Sequence, residues 1–144
     1  MELEYAFIAT AAQVNDDGRF SVLGGGTDTL RASKLPGAAP PLALVIKLKD
    51  DSNATALKHT VEVTMSRPNG KTETVLAGHP FWLTRRLPDR AAGVTIVVDA
   101  SLRMETPGEH RFHIRVDGEE VKSLPLFVVL HDNASVASNE DKSA

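Results

Sequence analysis

The residues in this sequence best suited to chemistry near neutral pH are five histidines: His59, His79, His110, His113 and His131. There is no cysteine, so thiolate nucleophiles, disulfides and sulfur-ligated metals are excluded. A zinc site would need three or four imidazole or carboxylate ligands converging on one point. His110 and His113 are an odd number of residues apart, so on a strand they leave opposite faces and cannot chelate together. His59 and His110 could meet inside the fold, but two imidazoles without a third ligand make a poor site. Buried, hydrogen-bonded histidines are expected, with no metal and no cofactor.

Other motifs give equally plain readings. Gly24-Gly25-Gly26-Thr27 has the look of a phosphate-cradling loop, yet no helix pattern and no Gly-Lys-Ser/Thr follows, so a strand bend is expected. Asp28-Thr29 opens like an aspartic-protease loop, but Leu30 stands where glycine would follow. Asp16-Asp17 and Asp50-Asp51-Ser52-Asn53 fall on turns and are alternatives for calcium, though acidic residues are common in turns anyway. No serine sits in a Gly-x-Ser-x-Gly elbow, so no catalytic residues are expected and the chain is not read as an enzyme. The surface candidate is Phe81-Trp82 between Pro80 and Pro88, beside Arg85 and Arg86. Trp and Arg bury much area while keeping a polar handle, as binding hot spots require. The competing reading folds the aromatic pair back over the open end of the core.

The elements that must position these residues are strands. Asp117-Gly118 between alternating segments is a hairpin signal, because the two-residue turn it favours needs positive φ. The hairpin spans Pro107 to Val129. A simple register pairs Arg115 with Glu120, Ile114 with Val121, His113 with Lys122 and Phe112 with Ser123. It points His110, Phe112, Ile114 and Val116 inward, with Val121, Phe127 and Val129 inward on the return strand. Pro125 marks a bulge or an edge. Leu42 to Lys49 alternates as a central strand, and His59, Val61, Val63 and Met65 share another face. Lys71 to Leu76 suits an edge strand, and residues 77–92 read as the longest irregular region. An apolar run from Leu3 to Val14 is hydrophobic on both faces, which fits burial by a loop or pairing across a dimer. The fold class that follows is all-β: one antiparallel, immunoglobulin-like β-sandwich of eight or nine strands over residues 1–130, with a polar disordered tail over 131–144. The order Pro107-Gly108-x-His110 gives His110 the place of the tyrosine that bonds back to the backbone in such sandwiches.

A chain of 144 residues can bury about 70% of its unfolded surface and needs no staples. The terminus MELEYAF carries acids and no basic region before a long apolar run, so no signal peptide is expected. No segment approaches the roughly 18 apolar residues of a membrane helix. With 16 basic and 19 acidic residues the net charge is −3, read as giving no field for nucleic acid or an anionic membrane.

One resemblance covers most of the chain. Tyr5-Ala6-Phe7, Val22-Leu23-Gly24-Gly25-Gly26-x-Asp28-x-Leu30, Pro40-Pro41-Leu42-Ala43-Leu44 and the Pro107-Gly108 to Pro125-Leu126 hairpin resemble a family of small bacterial all-β proteins of unknown function. The resemblance implies a fold and a bacterial source, and carries no catalytic residue. His110 and Thr27 depart from it, standing where an aromatic and a tryptophan are usual. The expectation is a cytoplasmic, non-catalytic protein-interaction or assembly module, with self-association among its modes and Phe81, Trp82, Arg85 and Arg86 as its hot spot. The alternative is a small-ligand binder for carbohydrate or calcium. The expected partner is protein or a second copy, with nucleic acid and membrane excluded.

Overall fold

The computed structural model describes residues 1–50, 58–83 and 91–131. Among the described residues there are twelve strands and no helix. In chain order they are β1 (Glu2–Ala9), β2 (Ala11–Val14), β3 (Phe20–Leu23), β4 (Thr29–Ala32), β5 (Gly37–Ala38), β6 (Leu42–Asp50), β7 (Lys58–Ser66), β8 (Thr72–Trp82), β9 (Ala92–Ala100), β10 (Arg103–Met104), β11 (Gly108–Val116) and β12 (Glu119–Leu130). A three-stranded sheet runs β1-β6-β9 and a five-stranded sheet runs β4-β12-β11-β7-β8, with two short ribbons, β2-β3 and β5-β10. The count exceeds eight or nine because the short strands carry too few residues to show a period of two.

One core joins the two large sheets. Leu42, Leu44, Ile46 and Leu48 of β6 meet Val61, Val63 and Met65 of β7 and Phe112 and Ile114 of β11. β6 is the central strand of its sheet, as its alternation requires, and Ala43 and Val45 on its other face are buried as well. The two-sided hydrophobicity of β1 has a local cause. Ala6 and Ile8 face the main core, while Tyr5 packs on Phe7 and on Phe20 of β3, each at 6.1 Å between ring centroids.

The β11-β12 hairpin turns at Asp117-Gly118 with φ of 51° and 86°, the doubly positive pair of a type I′ turn. Arg115 faces Glu120, but the register then shifts: Ile114 faces Lys122, His113 faces Ser123 and Phe112 faces Leu124. Val121 is the extra residue of a bulge. Because side chains alternate with a period of two, one inserted residue exchanges the faces of everything beyond it. Leu126 and Val128 therefore enter the core, while Phe127 and Val129 are 42% and 43% exposed, contrary to the inward placement expected of them. Pro125 sits within the ladder opposite Arg111, on a stretch of β12 whose other edge β4 does not reach, since β4 pairs only with Phe127 to Leu130. That β4-β12 pairing is parallel, so the sheet is mixed rather than wholly antiparallel.

The region read as irregular is also corrected. β8 continues through Ala77 to Trp82, with Lys58 opposite Trp82, His59 opposite Phe81 and Thr60 opposite Pro80. A proline is tolerated there because β8 is an edge strand and its outer side needs no donor. Two register shifts in the β7-β8 ladder accommodate the broken alternation.

Candidate functional site

The histidines take separate partners. His59 Nδ1 lies 2.8 Å from Asp117 Oδ2, and its ring stacks on Phe81 at 5.4 Å. Asp117 Oδ1 also accepts the Thr60 N–H at 2.9 Å, so the hairpin turn is latched to β7 by its own aspartate. The hydrogen bond from His59 holds the Asp117 carboxyl below its ordinary range. His110 is fully buried, and its Nδ1–H donates to the Gly108 carbonyl at 3.2 Å. Its Nε2 is enclosed without a partner. Burial pushes its pKa down and keeps the ring neutral. Among the described residues no three His, Cys, Asp or Glu side chains converge on a metal position. Asp17 is already engaged by the Arg19 backbone and guanidinium, and Asp51 to Asn53 lie outside the described residues.

The glycine run is a bend that spends its own donors. The Gly26 and Thr27 N–H groups both donate to the Ile8 carbonyl, at 2.9 and 3.0 Å, so neither is free to cradle a phosphate. Gly24 has φ of +63°, and a Cβ there would stand 2.5 Å from Thr10 Oγ1.

The expected aromatic pair is divided by the pleat. Phe81 is 6% exposed and belongs to the core, so it is not available as a contact residue. Trp82, its neighbour on the opposite face, is 53% exposed. Arg85 and Arg86 lie outside the described residues, as do residues 132–144 of the tail.

A cavity of about 250 Å³ lies where β4 leaves the five-stranded sheet and the chain turns into β5. Leu30, Leu35, Met104 and Val128 supply its apolar wall, and Arg31, Ser33 and Lys34 its polar residues. Among the described residues, its lining includes no carboxylate and no aromatic ring. It is somewhat smaller than the roughly 300–1,000 Å³ of sites for drug-sized ligands. Sequence reading missed it because its walls come from β4, β5, β10 and β12, and only the fold brings these short segments together. The Arg31-x-x-Lys34 spacing was the one local signal.

The chain belongs to a family described as a family of unknown function (DUF6941), whose profile matches residues 4–129. This agrees with the resemblance to an uncharacterised family. No curated protein matches it. Among solved structures it is similar to the Pseudomonas fluorescens alkylpurine DNA glycosylase AlkC bound to DNA containing an abasic site analog. That match has 18% identity and a TM-score of 0.44, covering 69% of this chain and 27% of the other. The chain thus spans about a quarter of the length of the protein it matches. The expectation of a protein partner with nucleic acid excluded is corrected: the similar structure is one bound to DNA, and net charge alone never licensed the exclusion. Physically, a net charge of −3 is a sum over the surface and does not exclude a local basic site. A likeness at this TM-score says nothing of what this chain itself binds. No helix among the described residues is long and apolar enough to cross a membrane.

Proposed function

We propose that this chain is a small-ligand-binding module whose ligand is anionic with an apolar portion, held in the cavity between β4 and β5. The observation that carries the reading is the charge of the lining: Arg31 and Lys34 stand at a recess walled by Leu30, Leu35, Met104 and Val128, with no carboxylate among the described residues that line it, on a chain that is acidic overall. A desolvated anion there gains from both cations and from apolar contact. The same lining disfavours calcium, which needs several oxygen ligands, and offers no aromatic face for a sugar. An immunoglobulin-like sandwich in the bacterial cytoplasm goes with this reading, supported by the shared core of two sheets and the absence of cysteine.

The test is a thermal-shift series with octanoate, glucose and calcium chloride. At a hundredfold excess over Kd, octanoate stabilises by about 2.7 kcal/mol, a rise on the order of 10 °C for a chain of this size. Glucose and calcium leave Tm unchanged, and the Arg31→Glu and Lys34→Glu variants lose the octanoate shift while keeping the unliganded Tm. An octanoate shift that survives both charge reversals, or none at millimolar concentration, refutes the reading.

A second reading rests on Trp82, a large aromatic held half in solvent at the end of an edge strand. It makes the chain a non-catalytic interaction module with Trp82 as hot spot, the partner's class no longer restricted to protein. A stoichiometric partner captured by the wild type and lost in a folded Trp82→Ala variant supports it.

A further inference from the structure

We infer that Ser66, His113 and Glu120 form a nucleophile, general base and orienting carboxylate able to carry out acyl transfer on small activated esters. Ser66 Oγ lies 3.0 Å from His113 Nε2, and His113 Nδ1 lies 2.6 Å from Glu120 Oε1. This is the order of contacts by which a serine is activated: hydroxyl to one ring nitrogen, carboxylate to the other. It goes beyond the ligand reading and uses a different face of the molecule.

The register builds it. His113 lies between Thr64 on β7 and Ser123 on β12, while Ser66 pairs with Arg111 and Glu120 with Arg115. Ser66 and Glu120 are thus the diagonal neighbours of His113 on either side, a separation that long side chains span. The bulge at Val121 separates Glu120 from the regular pairing beyond it. The nearby cations have their own carboxylates: Arg111 binds Glu109 at 2.8 Å, and Arg115 lies 3.6 Å from Glu62. Glu120 is left to His113.

The chemistry fixes the tautomer. An ionised Glu120 only accepts, so Nδ1 carries the proton and Nε2 of the neutral ring is an acceptor; the Ser66 hydroxyl donates to it at 3.0 Å, the shorter of its two contacts, the Arg111 carbonyl lying at 3.4 Å. Ser66 is half-buried, and the His113 and Glu120 side chains are 22% and 45% exposed, so a small ester meets the group from the solvent face. In the acylation step the Ser66 Oγ–C bond forms as the hydroxyl proton passes to Nε2. The tetrahedral intermediate then breaks its bond to the leaving oxygen, which takes that proton from the imidazolium. Water reverses the sequence: its oxygen bonds to the acyl carbon, its proton goes to Nε2, and Oγ leaves with that proton to restore Ser66. Ser66 and His113 are the catalytic residues, and Glu120 is a positioning residue.

The experiment treats the full chain with a fluorophosphonate probe, in which the Oγ–P bond forms and fluoride leaves, and maps the adduct by peptide mass. Hydrolysis of p-nitrophenyl acetate is followed in parallel. The wild type is labelled at Ser66, and Ser66→Ala is not. His113→Gln slows labelling by about 100-fold or more, the usual contribution of a general base. Glu120→Gln slows it at least tenfold at unchanged Tm, and Glu120→Asp recovers part of the rate, which loss of structure would not do. Should His113→Gln fail to fold, the Glu120 pair decides. Absence of an adduct at Ser66 in the folded wild type, or labelling at equal rate in the folded His113 or Glu120 variants, overturns the proposal.

Discussion

The latch formed by Asp117 is where the fold can be tested most sharply, because one residue carries three separable contributions. Its carboxylate accepts from the Thr60 N–H at 2.9 Å and from His59 Nδ1 at 2.8 Å, and its backbone occupies the left-handed region at φ 51°. Each hydrogen bond is worth about 0.5–1.5 kcal/mol net. The side chain is 46% exposed, so the lower half of that range applies after screening. Asp117→Gly removes both bonds and is at ease at positive φ, giving a loss of about 1–2 kcal/mol. Asp117→Ala loses the same bonds and adds the left-handed penalty of a Cβ, roughly 1 kcal/mol more. Asp117→Asn keeps an acceptor for Thr60 and tolerates the conformation, so it loses only about 0.5 kcal/mol. Urea melts at pH 7 should rank the variants Asn, Gly, Ala in increasing damage. The pH dependence has a definite sign. A carboxyl whose folded pKa lies below its ordinary value stabilises above that ordinary value and loses its contribution as pH falls through the folded one. The wild type therefore converges on the Asn variant in acid. An alanine variant as stable as the glycine variant, or a gap to Asn that persists at low pH, refutes this account of the turn.

Phe81 and Trp82 are adjacent in sequence but separated by the pleat: Phe81→Ala should cost about 3–5 kcal/mol, whereas Trp82→Ala should stay within about 0.5 kcal/mol. Chemical denaturation of both variants checks this, and similar losses would place the two rings in one environment. His110, whose folded pKa is depressed, stabilises fully above the ordinary imidazole value of 6.5 and loses that contribution as pH falls below it. A His110→Phe variant should show a flatter stability profile across that interval.

Much of the fold is written in single strands. The alternation of Leu42 to Leu48, the shared face of Val61, Val63 and Met65, and the Asp117-Gly118 turn each follow from local periodicity or turn chemistry. What sequence could not supply is parity after an insertion. Val121 does not look different from any strand valine, yet its bulge exchanges the faces of every residue up to Leu130, exposing Phe127 and burying Leu126. Pro80 misled for a related reason, since a proline reads as a breaker until the strand is known to be an edge. The candidate sites were hidden more deeply. Ser66, His113 and Glu120 come from three strands with no shared motif, and the parallel β4-β12 pairing that shapes the cavity has no signature in either segment. The histidines were visible as residues, but their partners were not.

That parallel pairing also sets an order of events. Thr29 to Ala32 are held by Phe127 to Leu130, about a hundred residues away, a separation whose closure entropy makes such contacts slow to form. On a ribosome, β4 lacks its ladder partner until β12 has emerged, so the wall of the cavity cannot close before then. Any ligand held there would report that synthesis has reached β12, since a nascent chain stalled short of it lacks one wall of the cavity.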